Sequence, residues 1–151
     1  MSADFESDLL VLLSDTSRHL RTYGDQMARR MGLTRAQLIV LARLERQPDL
    51  SQNELAELAE VAPITVARLI DRLEALGYVK RCTDPADRRI WRLRLTRAAA
   101  PVLREIRQYR IKLHRILTEA IEPEVLDVMR NGLRQMKRNV SRRRRLADAA
   151  A

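Results

Sequence analysis

SQNELAELAEVAPITVARLIDRLEALGYVKRCTDPADRRIWRLRLT, residues 51–96, is the stretch on which the reading of the whole chain turns. It opens with Ser51-Gln52-Asn53-Glu54, the form of a capping box. The Ser51 hydroxyl accepts from the Glu54 backbone N–H, and Glu54 reaches back to the Ser51 N–H. The helix started there carries Leu55, Leu58 and Ala59 at helical spacing and stops near Glu60. Two turns are marginal alone, so packing must hold them. A second helix starts at Ala62 or Pro63, because a proline's missing N–H costs nothing at the first helical position. Val66, Leu69, Ile70, Leu73 and Leu76 make its buried face, and Ile64, Thr65, Ala67, Arg68, Asp71 and Arg72 lie opposite. Gly77 follows as a left-handed cap.

Two strands come next, Tyr78 to Cys82 and Ile90 to Leu95. In the second, Trp91, Leu93 and Leu95 alternate with Arg92 and Arg94, the period of a half-buried strand. Trp91 is expected to pack beneath the ribbon. The tip, Asp84-Pro85-Ala86-Asp87-Arg88-Arg89, carries two adjacent arginines. Short helix, turn, second helix and ribbon make a winged helix-turn-helix: mainly α, with a small two- to three-stranded β-wing. Small residues and Arg68 near the start of the second helix suit a major groove, with Arg68 meeting a guanine or a phosphate. The alternative is that Arg68 and Arg72 are solvated and paired with Asp71 and Glu74. Arg88 and Arg89 suit a narrow minor groove. Asp87 would repel DNA, so it is expected to pair with Arg89 or Arg81 and orient the wing. From Val61 to Arg97, nine Lys/Arg stand against four Asp/Glu, a net charge of +5. Basicity alone would also attract other polyanions; the topology favours duplex DNA.

The recognition-helix run Pro63 to Leu73, the wing Asp84 to Arg89 and the following Leu95-Thr96 resemble the MarR family of bacterial transcription regulators. The match is best over Leu33 to Ala98. Ala98-Ala99-Ala100-Pro101 is similar to the branch that includes SlyA. The resemblance implies a homodimer on a pseudopalindromic operator, with recognition helices in successive major grooves and wings in flanking minor grooves. By position it places Pro63, Ile64, Thr65, Ala67 and Arg68 in the groove, Arg89 at the wing tip with Asp87 as its acidic partner, and Ser51, Gln52 and Asn53 at the DNA backbone. Relatives commonly carry glycine near Ala99; alanine should stiffen the wing's exit.

The 151 residues suit one compact domain or one domain with helical extensions. Residues 33–96 are expected to bind DNA, and residues 1–32 and 97–151 to dimerise. Aromatic residues are 3% of a chain that is 46% hydrophobic, so aliphatic side chains do the packing. No apolar run is long enough to span a bilayer. The start, Met1-Ser2-Ala3-Asp4, lacks a signal-peptide pattern, and the expectation is a cytoplasmic protein with no membrane partner. The single cysteine, Cys82, excludes an intramolecular disulfide and reads as an ordinary strand residue. Peroxide-sensing relatives carry theirs in the first helix.

Long helices flank the wing. The first is expected from Asp4 to Met31, with Phe5, Leu9, Leu12, Thr16, Leu20, Tyr23 and Met27 along one side. The second spans Thr34 to Arg46, capped by Thr34, with Leu38, Leu41 and Leu44 inward. Thr96 is expected to cap a helix to Glu122, bent near Pro101. Its seam is Val102, Ile106, Tyr109, Leu113, Ile116 and Ala120. Pro123 opens a last helix with the seam Leu126, Met129, Leu133, Met136 and Val140. Packing onto the winged region is one use of these seams. More helix is present than that region covers, so interlocking termini of two copies are expected. Arg142 to Arg145 read as a helix end set against its own dipole, with a frayed tail, ahead of a phosphate contact.

The resemblance implies small aromatic acids or phenols as effectors. Arg18, His19 and Tyr23 are the candidates, with Arg18 for a carboxylate; ordinary polar contacts are the alternative. No phosphate loop, nucleophile with its base or metal-spaced set stands out, so neither an enzyme nor a cofactor is expected. His19 and His114 are far apart in sequence. A nonspecific architectural DNA binder or a winged-helix protein adaptor is the competing class; an adaptor has little use for paired wing-tip arginines.

Overall fold

The computed structural model describes residues 8–149, with side chains as far as Arg143. The chain divides into two compact units, Met1–Tyr109 and Arg110–Ala151. The first holds α1 (Leu9–Arg30), α2 (Arg35–Arg46), α3 (Gln52–Ala59), α4 (Pro63–Ala75), β1 (Val79–Thr83) and β2 (Trp91–Leu95). A 3-10 turn, Arg97–Ala99, leads into α5 (Ala100–Leu117), and α6 spans Pro123–Ala149.

Local chemistry sets these bounds. Asp8 caps α1, its carboxylate accepting from the Leu10 and Val11 N–H groups, so the helix starts at Leu9 rather than Asp4. Phe5 and Asp4 lie outside the described residues. Thr34 with Gln37, and Ser51 with Glu54, form two complete capping boxes. At the end of α4, Gly77 takes φ 73°. The Tyr78 N–H reaches the Leu73 carbonyl and the Gly77 N–H that of Glu74, the paired bonds of a left-handed helix stop.

The core of the first unit joins Leu38, Leu41 and Leu44 of α2, Leu55 of α3, and Val66, Ile70 and Leu73 of α4. Val79 and Leu93 join it from the wing, and Val102, Leu103 and Ile106 from α5. Three expectations for this packing need correction. Leu76 is exposed, because it caps α4 where the chain is already turning away. Trp91 is 47% exposed: it faces Thr83 at the outer end of the ribbon, beyond the core, whereas Leu93 on the same face is 0% exposed. Ile106, expected between two copies, lies in this core. Tyr109 is likewise engaged within the unit, its ring stacked on Tyr23 with centroids 5.6 Å apart.

The wing is an antiparallel pair in which Val79 faces Leu95 and Thr83 faces Trp91. A third contact comes from the Ser51–Arg92 bridge and the Leu93 N–H bonded to the Leu50 carbonyl at 2.9 Å. Thr96 does not cap the next helix. Its hydroxyl donates to the Gly77 carbonyl at 2.5 Å, tying the ribbon's base to the end of α4. The irregularity expected at Pro101 falls just ahead of it, as the 3-10 turn. Pro101 is the second residue of α5, where its missing N–H removes no helical bond. Ala99 is 0% exposed, so its methyl group is core.

In the second unit, α5 ends at Leu117, short of Glu122, and Ala120 sits in the left-handed link at φ 57°. Pro123 opens α6 as expected. Arg142 to Arg145 lie inside α6, which continues to Ala149, so they do not form its end. Of the α6 seam, Met129, Leu133 and Val140 are exposed, and Leu126 and Met136 half-buried.

Leu93→Ala should cost about 2–5 kcal/mol, because it opens a cavity where wing and helices meet. Trp91→Ala should cost under about 1 kcal/mol. Urea denaturation of both variants checks the pair, and equal losses would contradict the assignment of Trp91 to the outside.

Candidate nucleic-acid interface

The site starts from α4. Ala62 precedes it without a side-chain capping bond; Pro63 has no N–H and the Thr65 N–H turns back to the Ala62 carbonyl at 2.9 Å, so the helix start offers an anion little beyond the Ile64 N–H. Pro63, Ile64, Thr65, Arg68 and Arg72 are exposed along this helix and Ala67 is half-buried. Small side chains near the start and long cations one and two turns on form a surface that can approach a polyanion closely.

Neither Arg68 nor Arg72 pairs with Asp71 or Glu74. Those two carboxylates are taken by Arg81 of β1, at 2.6 Å and 2.5 Å. The Arg81 guanidinium also reaches the Gln52 side-chain oxygen at 3.3 Å. Burial works against its charge, but the hydrogen bonds to Asp71 and Glu74 outweigh it and raise its pKa above the ordinary arginine value.

The wing repeats the pattern. Arg92 donates to Asp84 at 2.6 Å, to Glu54 at 2.9 Å and to the Asp49 carbonyl at 3.3 Å. Arg94 pairs with the Asp49 side chain. Asp84 is buried, and its other oxygen accepts from the Ala86 and Asp87 N–H groups. The Arg92 bond first, then those backbone bonds, hold its carboxyl below the usual range. Glu54 is lowered too, first by the Ser51 backbone and hydroxyl and then by Arg92.

Asp87 holds the tip through the backbone rather than a guanidinium. Its carboxylate accepts from the Arg89 N–H at 2.9 Å and its carbonyl from the Ile90 N–H at 3.0 Å. Of its expected partners, Arg81 is taken by Asp71 and Glu74 of α4, and Arg89 meets it through its backbone N–H rather than its guanidinium. Arg88 and Arg89 are exposed. Among the described residues, Arg68, Arg72, Arg88 and Arg89 have no carboxylate within salt-bridge distance.

The expected α3 contacts divide. Asn53 is exposed and Gln52 half-buried with its oxygen on Arg81, while Ser51 is 7% exposed with its hydroxyl accepting from Glu54. The effector candidates do not converge either. Arg18 is held by Asp15 at 2.7 Å, His19 is exposed, and Tyr23 lies against Tyr109. Cys82 is a half-buried free thiol in β1.

Sequence reading missed the clamps of Arg81 and Arg92. Strand alternation set Arg92 off the core face, whereas Arg81 shares the face of Val79 and Leu93; the partners of both lie 7 to 43 residues away.

Because Asp84 and Glu54 titrate below their ordinary values when folded, the unfolded chain binds more protons than the folded one as pH falls. The stability they contribute is present above the ordinary carboxylate range and is lost from about pH 5 downward. Asp84→Asn should flatten that loss. Thermal unfolding followed from pH 7 to pH 3 checks it, and parallel curves would exclude Asp84 as an anchor.

With this geometry in place, comparison with known proteins is direct. The MarR family profile matches residues 31–90. The HTH-type transcriptional repressor MdtR of Bacillus subtilis (strain 168) is 34% identical over 90 residues, which is 60% of this chain and 58% of that one. The aligned stretch therefore spans less than two thirds of that relative. A crystal structure of MarR is 29% identical with TM-score 0.77, covering 95% of this chain and 97% of that one. The crystal structure of the transcriptional regulator SlyA is 27% identical with TM-score 0.81, covering 89% and 95%. A profile match centred on the helix–turn–helix and wing, and a likeness to MarR that runs almost end to end, lead to one conclusion: the chain is similar to the MarR family in its helix–turn–helix and wing, and shares the MarR fold.

Proposed function

We propose that the chain is a sequence-specific, double-stranded-DNA-binding transcription regulator of the repressor type. In this reading it acts as a homodimer on a pseudopalindromic operator. Residues 33–96 contact DNA, and residues 1–32 and 97–151 join the two copies. The observation that carries it is the sorting of charge on one surface. Asp71, Glu74 and Asp84 are engaged by Arg81 and Arg92, while Arg68, Arg72, Arg88 and Arg89 stay exposed without a carboxylate partner among the described residues.

The small side chains of Pro63, Thr65 and Ala67 let α4 approach base edges in the major groove. Arg68 then meets a guanine or a phosphate, Arg72 a phosphate, and Arg88 and Arg89 the minor groove. Asn53 meets the backbone. Ser51 and Gln52 serve indirectly here, by capping α3 and by holding Arg81.

The dimer is supported by apolar side chains that stay in water in one copy. Leu9, Leu12, Ile116, Met129 and Leu133 are each 46% to 52% exposed. Burying one such side chain fully is worth about 1.5–3 kcal/mol. Leu20, Leu113, Leu126 and Met136 are half-buried and border the same seams. Release by an aromatic acid or phenol finds an aromatic surface in the Tyr23–Tyr109 stack, with Arg18 already paired; calorimetry with salicylate-like compounds tests it.

Selection of genomic fragments by the purified protein at near-physiological salt, followed by footprinting, should recover a palindrome protected over about two turns. Uniform recovery would instead mark an architectural binder, since a regulator prefers its site by about 10³–10⁷. No recovery at all would favour a protein adaptor. Arg68→Ala should cost about 1–3 kcal/mol and relax base preference if it reads a guanine, or lower the salt slope by about one if it meets phosphate. Light scattering should give a dimer, and a stable monomer would remove that part of the proposal.

A further inference from the structure

Arg81 does not face outward with the other cations. Its side chain is 20% exposed and bonded to two helices at once. One guanidinium nitrogen reaches Asp71 at 2.6 Å and the Ala67 carbonyl at 3.4 Å on α4, and Gln52 of α3 at 3.3 Å. The other terminal nitrogen reaches Glu74 at 2.5 Å. The Arg81 backbone N–H donates to the second Glu74 oxygen at 3.0 Å. Ala67, Asp71 and Glu74 share α4 with Arg68 and Arg72, so the clamp grips the helix that carries the exposed cations.

We propose that Arg81 is the positioning residue that sets the angle of α4 against α3 and the wing, and with it the discrimination between one DNA sequence and another. The inference rests on the DNA-binding reading above. A planar fork with fixed donors holds several acceptors in one geometry, which a lysine's single ammonium does not. The charge of Arg81 and its geometry act differently. Charge governs attraction to phosphate, which is independent of sequence and changes little if a cation remains. Geometry governs contacts to base edges, where a shift of α4 loses hydrogen bonds that only the preferred sequence offers.

The test uses two duplexes of equal length, a fragment selected from genomic DNA and a random sequence, titrated against the full chain by fluorescence anisotropy. Arg81→Lys should weaken the selected fragment about tenfold and the random duplex less than about threefold, lowering the specificity ratio. Glu74→Gln removes one arm of the clamp while adding a net positive charge. It should leave random binding unchanged or tighter while the selected fragment weakens, a split that general loosening of the fold would not produce. Circular dichroism checks that each variant is folded, and if Arg81→Lys is not, Glu74→Gln decides. Equal changes on both duplexes, or none, overturn the inference. A wild-type chain that binds both duplexes alike overturns the regulator reading and this inference with it. A wild type that discriminates, with variants that discriminate equally, overturns the inference alone.

Discussion

A ribbon of two five-residue strands does not hold itself together in water. This one stands because Arg92 joins it to the start of α3. The guanidinium bonds Asp84 across the wing and Glu54 of the α3 capping box together, and Glu54 in turn bonds the Ser51 N–H. The cap that starts α3 and the bond that anchors the wing therefore share a carboxylate. Leu93, the next residue, fills the core from the ribbon's inner face. One residue supplies the packing and its neighbour the orientation, an economy that strand alternation allows.

The same chemistry sorts the charge of the segment. Its carboxylates lie where strand arginines can reach them, and those arginines are the ones facing helices. The cations left over are on the exposed side of α4 and at the wing tip. A net charge of +5 would not by itself predict this. Partners drawn from α3, α4 and the turn at Asp49 determine which arginines remain open.

Much of the architecture was legible because it is local. The Thr34 cap of α2, the capping box of α3, the proline opening α4 and the glycine closing it each work within a few residues, and each lies where expected. The alternation of β2 was also legible, but not how far the core extends beneath it, so Trp91 was misplaced while Leu93 was not. Ile106 shows a related ambiguity: a heptad seam says that a face is buried, not what buries it. Here the first turns of α5 complete the core of their own unit. Asp87 misled for a third reason. Nearness in sequence suggested Arg89 as its ion partner, whereas the tight turn brings the Arg89 N–H to the carboxylate. Contacts over long sequence separations, such as Arg92 with Asp49, left no local mark.

A ribbon this short has two open edges, each a template on which a foreign strand can dock. Each is blocked at one point by groups already described. On the β2 side, the Leu93 N–H bonds the Leu50 carbonyl and Ser51 bridges Arg92. On the β1 side, the Arg81 N–H is capped by the Glu74 carboxylate, an oxygen from a helix standing where a neighbouring strand would place its carbonyl. Exposed Lys80 adds a charge on the same strand. The wing thus reaches into solvent with each edge interrupted near its middle, and the contacts that anchor it also hinder edge-to-edge pairing.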